Sequence, residues 1–180
     1  MFIKRKINKQ NLRKQINIGR KNAPEVQNIG SKMISKKMKY ALKALIHITN
    51  HQDTEGYVKA HDIAEQGQIP KKFLEQILLD LKKGRIINSR QGNTGGYYFT
   101  RKPSEVTLAD VYRLIDGPIA LVACASKNFY EPCLDCPDEA ACSIRRALIE
   151  VRDETLKILE TKNIAEMAKG YTFMPTNWTI

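Results

Sequence analysis

Three amphipathic helical patterns followed directly by a hairpin pattern occupy residues 35–102, and this order restricts the fold more than any other feature of the sequence. In the first pattern, apolar residues recur at helical spacing, which predicts a helix over 35–50 with Ser35 as its N-cap. A second, shorter helix is predicted over 59–66. We expect Gly67 to end it in a left-handed conformation, which glycine adopts readily.

The third helix and the hairpin follow without a long linker. Pro70 opens a helix predicted over 70–83, because a proline in the first turn loses no intrahelical hydrogen bond. Two short strands are then predicted at 86–90 and 97–100, joined by a turn rich in glycine and asparagine. Two helices joined by a tight turn and followed by a hairpin are typical of a winged helix-turn-helix. The sequence therefore predicts a mainly α-helical fold with a small β-hairpin, with the winged domain at 33–103.

The next segment, 104–169, is predicted to hold a connector helix, a cysteine loop and a long helix over 143–160. Apolar or near-apolar residues of the long helix step by four and three positions, which indicates a seam that another helix covers. That partner is either the chain's own first helix or a second copy of the chain. Because few other helices are available to cover so long a stripe, we favour a homodimer through this helix. The seam residues are Ile144, Leu148, Val151, Thr155 and Ile158.

Positive charge is concentrated in two blocks of the sequence. Residues 1–40 carry twelve Lys and Arg against one acid, and residues 69–102 carry eight against two. Such a field favours a polyanion such as double-stranded DNA, the alternative being a solubilising surface. The third helix would enter the major groove, and the hairpin would grip the adjacent backbone or minor groove. The candidate DNA-binding residues are Lys36, Lys37, Lys71, Lys72, Gln76, Ser89, Arg90, Gln91, Asn93 and Thr94.

The two ends of the chain lack the patterns of a packed domain. Residues 1–32 are basic, are rich in Asn, Ile and Lys, and have no sustained apolar stripe. We expect either a disordered basic extension or an over-extended start there, and a tail over 170–180. No apolar run approaches the roughly 20 residues of a membrane helix, and no secretory pattern is present. We therefore expect a cytoplasmic protein with no membrane partner.

Four cysteines lie close together with the spacing C-x8-C-x2-C-x5-C, at Cys124, Cys133, Cys136 and Cys142. Proline and aspartate residues around them indicate a loop. Thiolates crowded beside a helix N-terminus have lowered pKa values, which suits both metal ligation and redox chemistry. Zinc, an iron–sulfur cluster, a metal-free thiol switch and inert cysteines are all compatible with this spacing. The four cysteines are candidate metal ligands.

The sequence does not favour an enzyme. A thioredoxin-like use of Cys133 and Cys136 would need a βαβ context, which the predicted elements do not provide. No glycine-rich nucleotide-binding loop is present either. We therefore expect a binding protein without catalytic residues.

Several longer motifs accompany these patterns. They are Lys39–Leu45 in the first helix, Ile63–Glu65 in the second, Ile69–Leu78 in the third, Ser89–Tyr97 in the hairpin, and Val106–Val111 with Asp116 and Gly117 after it. Through these residues the chain resembles the bacterial Rrf2 family of regulators, which includes IscR, NsrR, RirA and CymR. The resemblance covers about residues 33–168.

The resemblance implies a dimeric, sequence-specific DNA-binding transcriptional regulator in which the long helix crosses its mate. It also implies that the cysteine loop carries a 2Fe-2S or 4Fe-4S cluster, or thiols, that sense iron, redox state or nitric oxide. Cys136 and Cys142 match the last two of the three cysteines common in cluster-bearing members. Where some members have a ligating histidine this chain has Arg145, and where others have an acid in the first helix it has Lys39.

Two alternatives accompany this resemblance. CymR-like members carry no cluster, and a zinc-stabilised winged-helix module that binds protein would have no sensing role. The hairpin also departs from the family pattern, because many members place Arg directly before the residue that is Gly92 here. This chain has Gln91 there and Arg90 one position earlier. Neighbouring strand residues point to opposite faces, so phosphate contact is the better-supported role for Arg90.

Overall fold

The computed structural model describes residues 34–136 and 138–170. The expectations for 1–32 and for nearly all of the tail lie outside those residues. The helices are α1 (Lys36–Glu55), α2 (Ala60–Gly67), α3 (Lys71–Lys83), α4 (Leu108–Ile115), α5 (Ser143–Thr161) and α6 (Ile164–Lys169), and the strands are β1 (Ile87–Arg90) and β2 (Gly96–Phe99). The predicted fold class, mainly α with a small hairpin, is confirmed.

Helix α1 begins as predicted and ends later than predicted. The Ser35 hydroxyl accepts the N–H of Met38 at 2.9 Å, which confirms Ser35 as the N-cap. Helical hydrogen bonding then continues past residue 50 to Glu55, and Gly56 closes the helix by donating its N–H to the carbonyl of Gln52. The predicted end of this helix at residue 50 is therefore wrong.

The turn between α2 and α3 also differs from the prediction. Gly67 is the last residue of α2, and Gln68 takes the left-handed conformation, with a φ of 50°. Gly67 instead leaves room for a neighbour, because a Cβ there would lie 2.9 Å from Cδ1 of Ile69 and that side chain would have to shift. Ile69 is buried, so the missing side chain lets it close the turn against the core.

One apolar core joins α1 to the elements around it. Helix α1 packs against α2, α3, α4, α6 and β2. Burying a leucine or isoleucine side chain contributes about 1.5–3 kcal/mol, so a core of this size stabilises α1 and the elements packed on it within a single chain. The largest fully buried apolar side chains are Met38, Leu45, Ile48, Ile63, Leu74, Ile77, Leu78, Leu81, Ile86, Ile87 and Ile164.

The hairpin is fixed to the body of the protein. Its two strands are antiparallel, with Arg90 opposite Gly96. Val58, in the α1–α2 linker, pairs with Tyr97 through N–H···O hydrogen bonds of 3.0 and 2.8 Å. A Cβ on Gly96 would lie 2.6 Å from the carbonyl oxygen of Val58, so this close pairing requires glycine. The hairpin and the helices therefore form one rigid unit.

Helix α5 packs against α4 and against a 3-10 turn at Ala123–Ala125. Leu156 is its one buried residue. Three residues of the predicted seam remain largely exposed: Ile144 by 70%, Val151 by 48% and Ile158 by 61%. Packing of this seam against α1 is therefore not found within the part of the chain that the structure describes.

Candidate DNA-binding surface and cysteine loop

Helix α3 has one apolar and one polar face. Its apolar residues Leu74, Ile77, Leu78 and Leu81 are buried in the core. Lys71, Lys72 and Gln76, the DNA-binding residues predicted on this helix, are all exposed. Within 34–136 and 138–170, neither lysine forms an ion pair. The N-terminal turn of α3 therefore presents two unneutralised cations to solvent.

The carboxylate of Asp80 contacts two of the predicted DNA-binding residues. Nζ of Lys37 lies 2.6 Å from Oδ2 of Asp80, and Gln76 donates to Oδ1 at 3.2 Å. The hydrogen bond from Lys37 is the main cause that lowers the pKa of Asp80. The charge of Lys37 is therefore already partly neutralised within the protein. Lys36, one residue earlier, lies over the ring of Tyr40 at 5.9 Å.

The predicted hairpin residues differ in how they are held. Ser89 accepts a hydrogen bond of 2.6 Å from Nζ of Lys82, which ties the hairpin to the end of α3. Gln91, Asn93 and Thr94 are exposed in the turn. The guanidinium of Arg90 lies against an aromatic ring of the α1–α2 linker. The side chains that the turn itself exposes are uncharged and polar.

Hydrogen bonds connect three of the four thiols of the cysteine loop. The sulfurs of Cys136 and Cys142 lie 3.7 Å apart. Hydrogen bonds first to Cys133 and then to Cys142 raise the pKa of Cys136 to about 12. Cys142 is the N-cap of α5, and its sulfur accepts the backbone N–H of Arg145 at 3.4 Å, which lowers its pKa. Cys142 is therefore the member of the pair that ionises first.

Cys124 has a different environment. It is buried in the 3-10 turn, and its carbonyl oxygen accepts a hydrogen bond of 2.9 Å from Nε of Arg145. Among the contacts of the described residues, none joins its sulfur to the other three. Arg145 connects this turn to the start of α5.

Glu139 holds the loop together, although the sequence analysis did not single it out. Its carboxylate accepts the N–H of Cys133 at 2.9 Å and the hydroxyl of Tyr130 at 2.8 Å. Nε of Arg145 lies 3.5 Å from it. These contacts, the Cys133 N–H first, lower the pKa of Glu139 and keep it charged. Its position between Cys136 and Cys142 is the sequence feature that could have indicated it.

The thiol pair fits a tetrahedral metal site. Two sulfurs bound at about 2.3 Å to one tetrahedral metal lie about 3.8 Å apart, close to the separation of 3.7 Å between Cys136 and Cys142. Over 34–136 and 138–170, however, no group of three or more His, Cys, Asp or Glu side chains has the geometry to hold a metal ion. A complete site therefore requires further ligands to move into place beside this pair.

Comparison with known proteins identifies the family. The Rrf2 family model, described as an iron-dependent transcriptional regulator, matches residues 34–170. The chain belongs to the Rrf2 family. It is 42% identical over 137 residues to the rrf2-like HTH-type transcriptional regulator of Rhodobacter capsulatus, covering 75% of this chain and 91% of that protein. It is 27% identical over 139 residues to the HTH-type transcriptional regulator CymR of Bacillus subtilis, covering 77% and 91%.

Solved structures of Rrf2 regulators share the fold. CymR, the global cysteine regulator of B. subtilis, superimposes with a TM-score of 0.62 at 27% identity, covering 77% of this chain and 98% of CymR. IscR of T. potens gives a TM-score of 0.57 at 23% identity, covering 76% of this chain and 85% of IscR. At this identity the likeness shows a shared fold and nothing more. This Rrf2 protein is thus a winged-helix transcriptional regulator and not an enzyme, as the sequence predicted. None of the helices within its described ranges is long and apolar enough to cross a membrane.

Proposed function

We propose that this regulator is a sequence-specific DNA-binding dimer that inserts α3 into the major groove and rests its hairpin on the adjacent backbone. The observation that carries the proposal is the rigid attachment of the hairpin to the helices, through Val58 on one side and Lys82 on the other. A helix and a hairpin held in this way meet the duplex as one surface. DNA binding also supports the expected cytoplasmic location.

Each predicted contact residue has a role in this proposal. Lys71 and Lys72 contact the DNA at the entrance of α3 to the groove, and Gln76 faces the bases one turn later. Lys36 and Lys37 contact phosphates from the start of α1. The hairpin contacts are Ser89, Arg90, Gln91, Asn93 and Thr94.

In the proposed dimer, the second copy of the chain binds along α5. Three seam residues of this helix, Ile144, Val151 and Ile158, are exposed and share one stripe. A self-complementary stripe on a helix buries itself most simply against its own copy about a two-fold axis. Such a dimer presents two copies of α3, which then read two half-sites.

We further propose that the cysteine loop is the sensor. Cys133, Cys136 and Cys142 would hold an iron–sulfur cluster of the 2Fe-2S or 4Fe-4S type, with zinc or the metal-free thiols as alternatives, and Cys124 is the fourth candidate ligand. The family description as iron-dependent supports a cluster. When bound, the cluster would supply redox- and iron-dependent chemistry. The protein's own residues transmit its state, because Cys142 caps α5 directly.

DNA binding is tested by fluorescence anisotropy on a fragment selected from genomic DNA. We expect Lys72→Ala to weaken binding and to lower the slope of log K against log salt by about 0.9, the value for one phosphate contact. Lys162→Ala removes an exposed lysine at the end of α5 and serves as the control. Equal behaviour of both variants and wild type, with no salt dependence, would contradict the proposal.

The sensor is tested by anaerobic purification followed by metal and sulfide analysis and a visible spectrum. We expect Cys136→Ala to lose the metal and the associated absorption. Lys162→Ala, at the other end of α5, is the control and should keep both, whereas Cys124→Ala shows whether the fourth candidate is a ligand. A colourless, metal-free wild-type protein that still selects its DNA would leave the regulator intact and remove the cluster from the account.

A further inference from the structure

Arg90, the last residue of β1 before the hairpin turn, is held by aromatic residues. Its guanidinium carbon lies 5.5 Å from the centre of the Tyr57 ring, and Nη1 donates to the Tyr57 hydroxyl at 3.4 Å. The Tyr57 ring packs edge-on against Tyr98 of β2, with centroids 5.4 Å apart. An exposed arginine otherwise loses much side-chain entropy when it binds, and these contacts restrict it in advance. Arg90 is therefore pre-positioned.

A shallow pocket of about 370 Å³ lies beside this arginine, between the hairpin turn and the start of α2. Lys59 and Arg90 supply its two cations, and both are exposed. Gly95 and Gly96 line it without side chains, and a Cβ at either position would clash with backbone, of Arg90 and of Val58 respectively. No carboxylate is among its lining residues.

We propose that this pocket binds one phosphate of the DNA backbone between Lys59 and Arg90, and that Tyr57 positions Arg90 for it. A guanidinium presents several N–H donors to a phosphate, and Tyr57 occupies only one of them. The glycines let the backbone approach the phosphate closely. This inference rests on the proposed DNA binding and adds Lys59 and Tyr57, neither of which the sequence analysis selected.

The position of Arg90 gives the pocket its place on the DNA. Arg90 pairs with Gly96 directly beside the turn. Its charge is drawn toward the α1–α2 linker by Tyr57. The pocket therefore meets a phosphate beside the hairpin turn, on the side that faces the start of α2.

The first test measures duplex affinity and its salt dependence for the full-length protein. We expect Lys59→Ala to weaken binding about three- to tenfold and to lower the salt slope by about 0.9. We expect Tyr57→Ala to weaken binding to a similar extent, and Tyr57→Phe, which keeps the ring, to have a smaller effect. Lys162→Ala, the control, leaves the affinity unchanged.

A purely structural role of Tyr57 is separated from a positioning role by a double variant. If Tyr57 acts through Arg90, then Tyr57→Ala combined with Arg90→Ala binds no more weakly than Arg90→Ala alone. Additive losses, or a matching drop in the urea midpoint of Tyr57→Ala, would overturn the positioning role.

The second test identifies the phosphate. A duplex with single neutral methylphosphonate substitutions, moved stepwise along each strand, should contain one position per half-site that weakens wild type clearly more than it weakens Lys59→Ala. Lys72→Ala, run in parallel, should lose affinity at a different position. If Lys72→Ala weakens binding while Lys59→Ala and Tyr57→Ala do not, the pocket is wrong and DNA binding stands. If none of the three weakens binding, both proposals are wrong.

Discussion

Helices α1 and α5 are of nearly equal length, 20 and 19 residues, yet they are buried very differently. Helix α1 lies in the middle of the core and has several fully buried side chains, including Met38, Leu45 and Ile48. Helix α5 buries only Leu156 and leaves Val151 and Ile158 half-exposed or more. The difference teaches that α1 and the elements around it are complete within one chain, whereas α5 exposes an apolar stripe, which the proposed dimer would cover.

The contacts that hold α5 are mainly polar. Arg145 and Arg152 donate to the carbonyl oxygens of the 3-10 turn, and Arg113 pairs with Glu160 at 2.9 Å. Exposed ion pairs contribute only about 0–1 kcal/mol each, far less than the apolar core around α1. In the proposed sensor, a change at the cysteine loop would therefore act on α5 through polar contacts that are individually weak. This division suits a regulator in which one part senses and the other binds.

The largest effect is expected in the core of the winged domain. Leu78→Ala removes a fully buried side chain and should lower the free energy of unfolding by about 2–5 kcal/mol, independently of protein concentration. Ile158→Ala, at an exposed position of α5, should change it by about 0.5 kcal/mol or less under conditions where the protein is monomeric. Urea denaturation measures both values. Equal losses would remove the contrast between the two helices.

The next effect concerns the dimer. Val151→Asp places a charge in the middle of the seam, and we expect it to raise the dimer dissociation constant about a hundredfold, because burying an unpaired carboxylate is costly. Analytical ultracentrifugation measures the constant, and circular dichroism should show unchanged helix content. Lys157→Asp introduces the same residue on another face of α5 and should leave the dimer intact. A dimer insensitive to Val151→Asp would place the interface elsewhere.

A smaller effect depends on pH and on α1. His47 is buried beside His51, and burial, more than the neighbouring histidine, lowers its pKa from 6.5 to about 4, while Asp62 opposes the shift. The unfolded state takes up the proton near pH 6.5 and the folded state only near pH 4. Stability is therefore full above pH 6.5 and falls as the pH decreases through this window.

Between pH 7 and pH 5 we expect the free energy of unfolding to fall by about 2 kcal/mol through His47 alone. Urea titrations of wild type and His47→Gln at both pH values measure this difference, which the variant should lack. His61→Gln removes an exposed histidine and should behave as wild type. An identical pH response in all three proteins would rule out His47 as the source.

The sequence predicted the elements whose boundaries are set locally. Pro70 and the glycine-rich turn placed α3 and the hairpin to within a residue or two. The sequence pattern did not show the true end of α1, because residues 51–55 are polar. The additional helical residues include one that contacts a distant part of the chain. Gln52 accepts the backbone N–H of Phe99 in β2 at 2.9 Å, a pairing between residues far apart in the chain. No local pattern could show it.

The same distinction between local patterns and distant contacts applies to the candidate site. Exposure of Lys71 and Lys72 could be predicted from the apolar stripe on the other face of α3. The engagement of Lys37 by Asp80 could not, because it joins two helices that only the fold brings together. Spacing likewise could not distinguish Cys124 from Cys133, whereas the folded loop links Cys133 to the thiol pair and places Cys124 in a separate turn.

The most direct test of the account is a footprint of the full-length protein on the genomic fragment that it enriches most strongly from a random pool. The account predicts two symmetric protected patches about one or two helical turns apart, both lost with Lys72→Ala. The opposite result is that no fragment is enriched over random competitor, with or without reconstituted cofactor. That result would contradict the claim that α3 and the hairpin bind duplex DNA as one rigid surface.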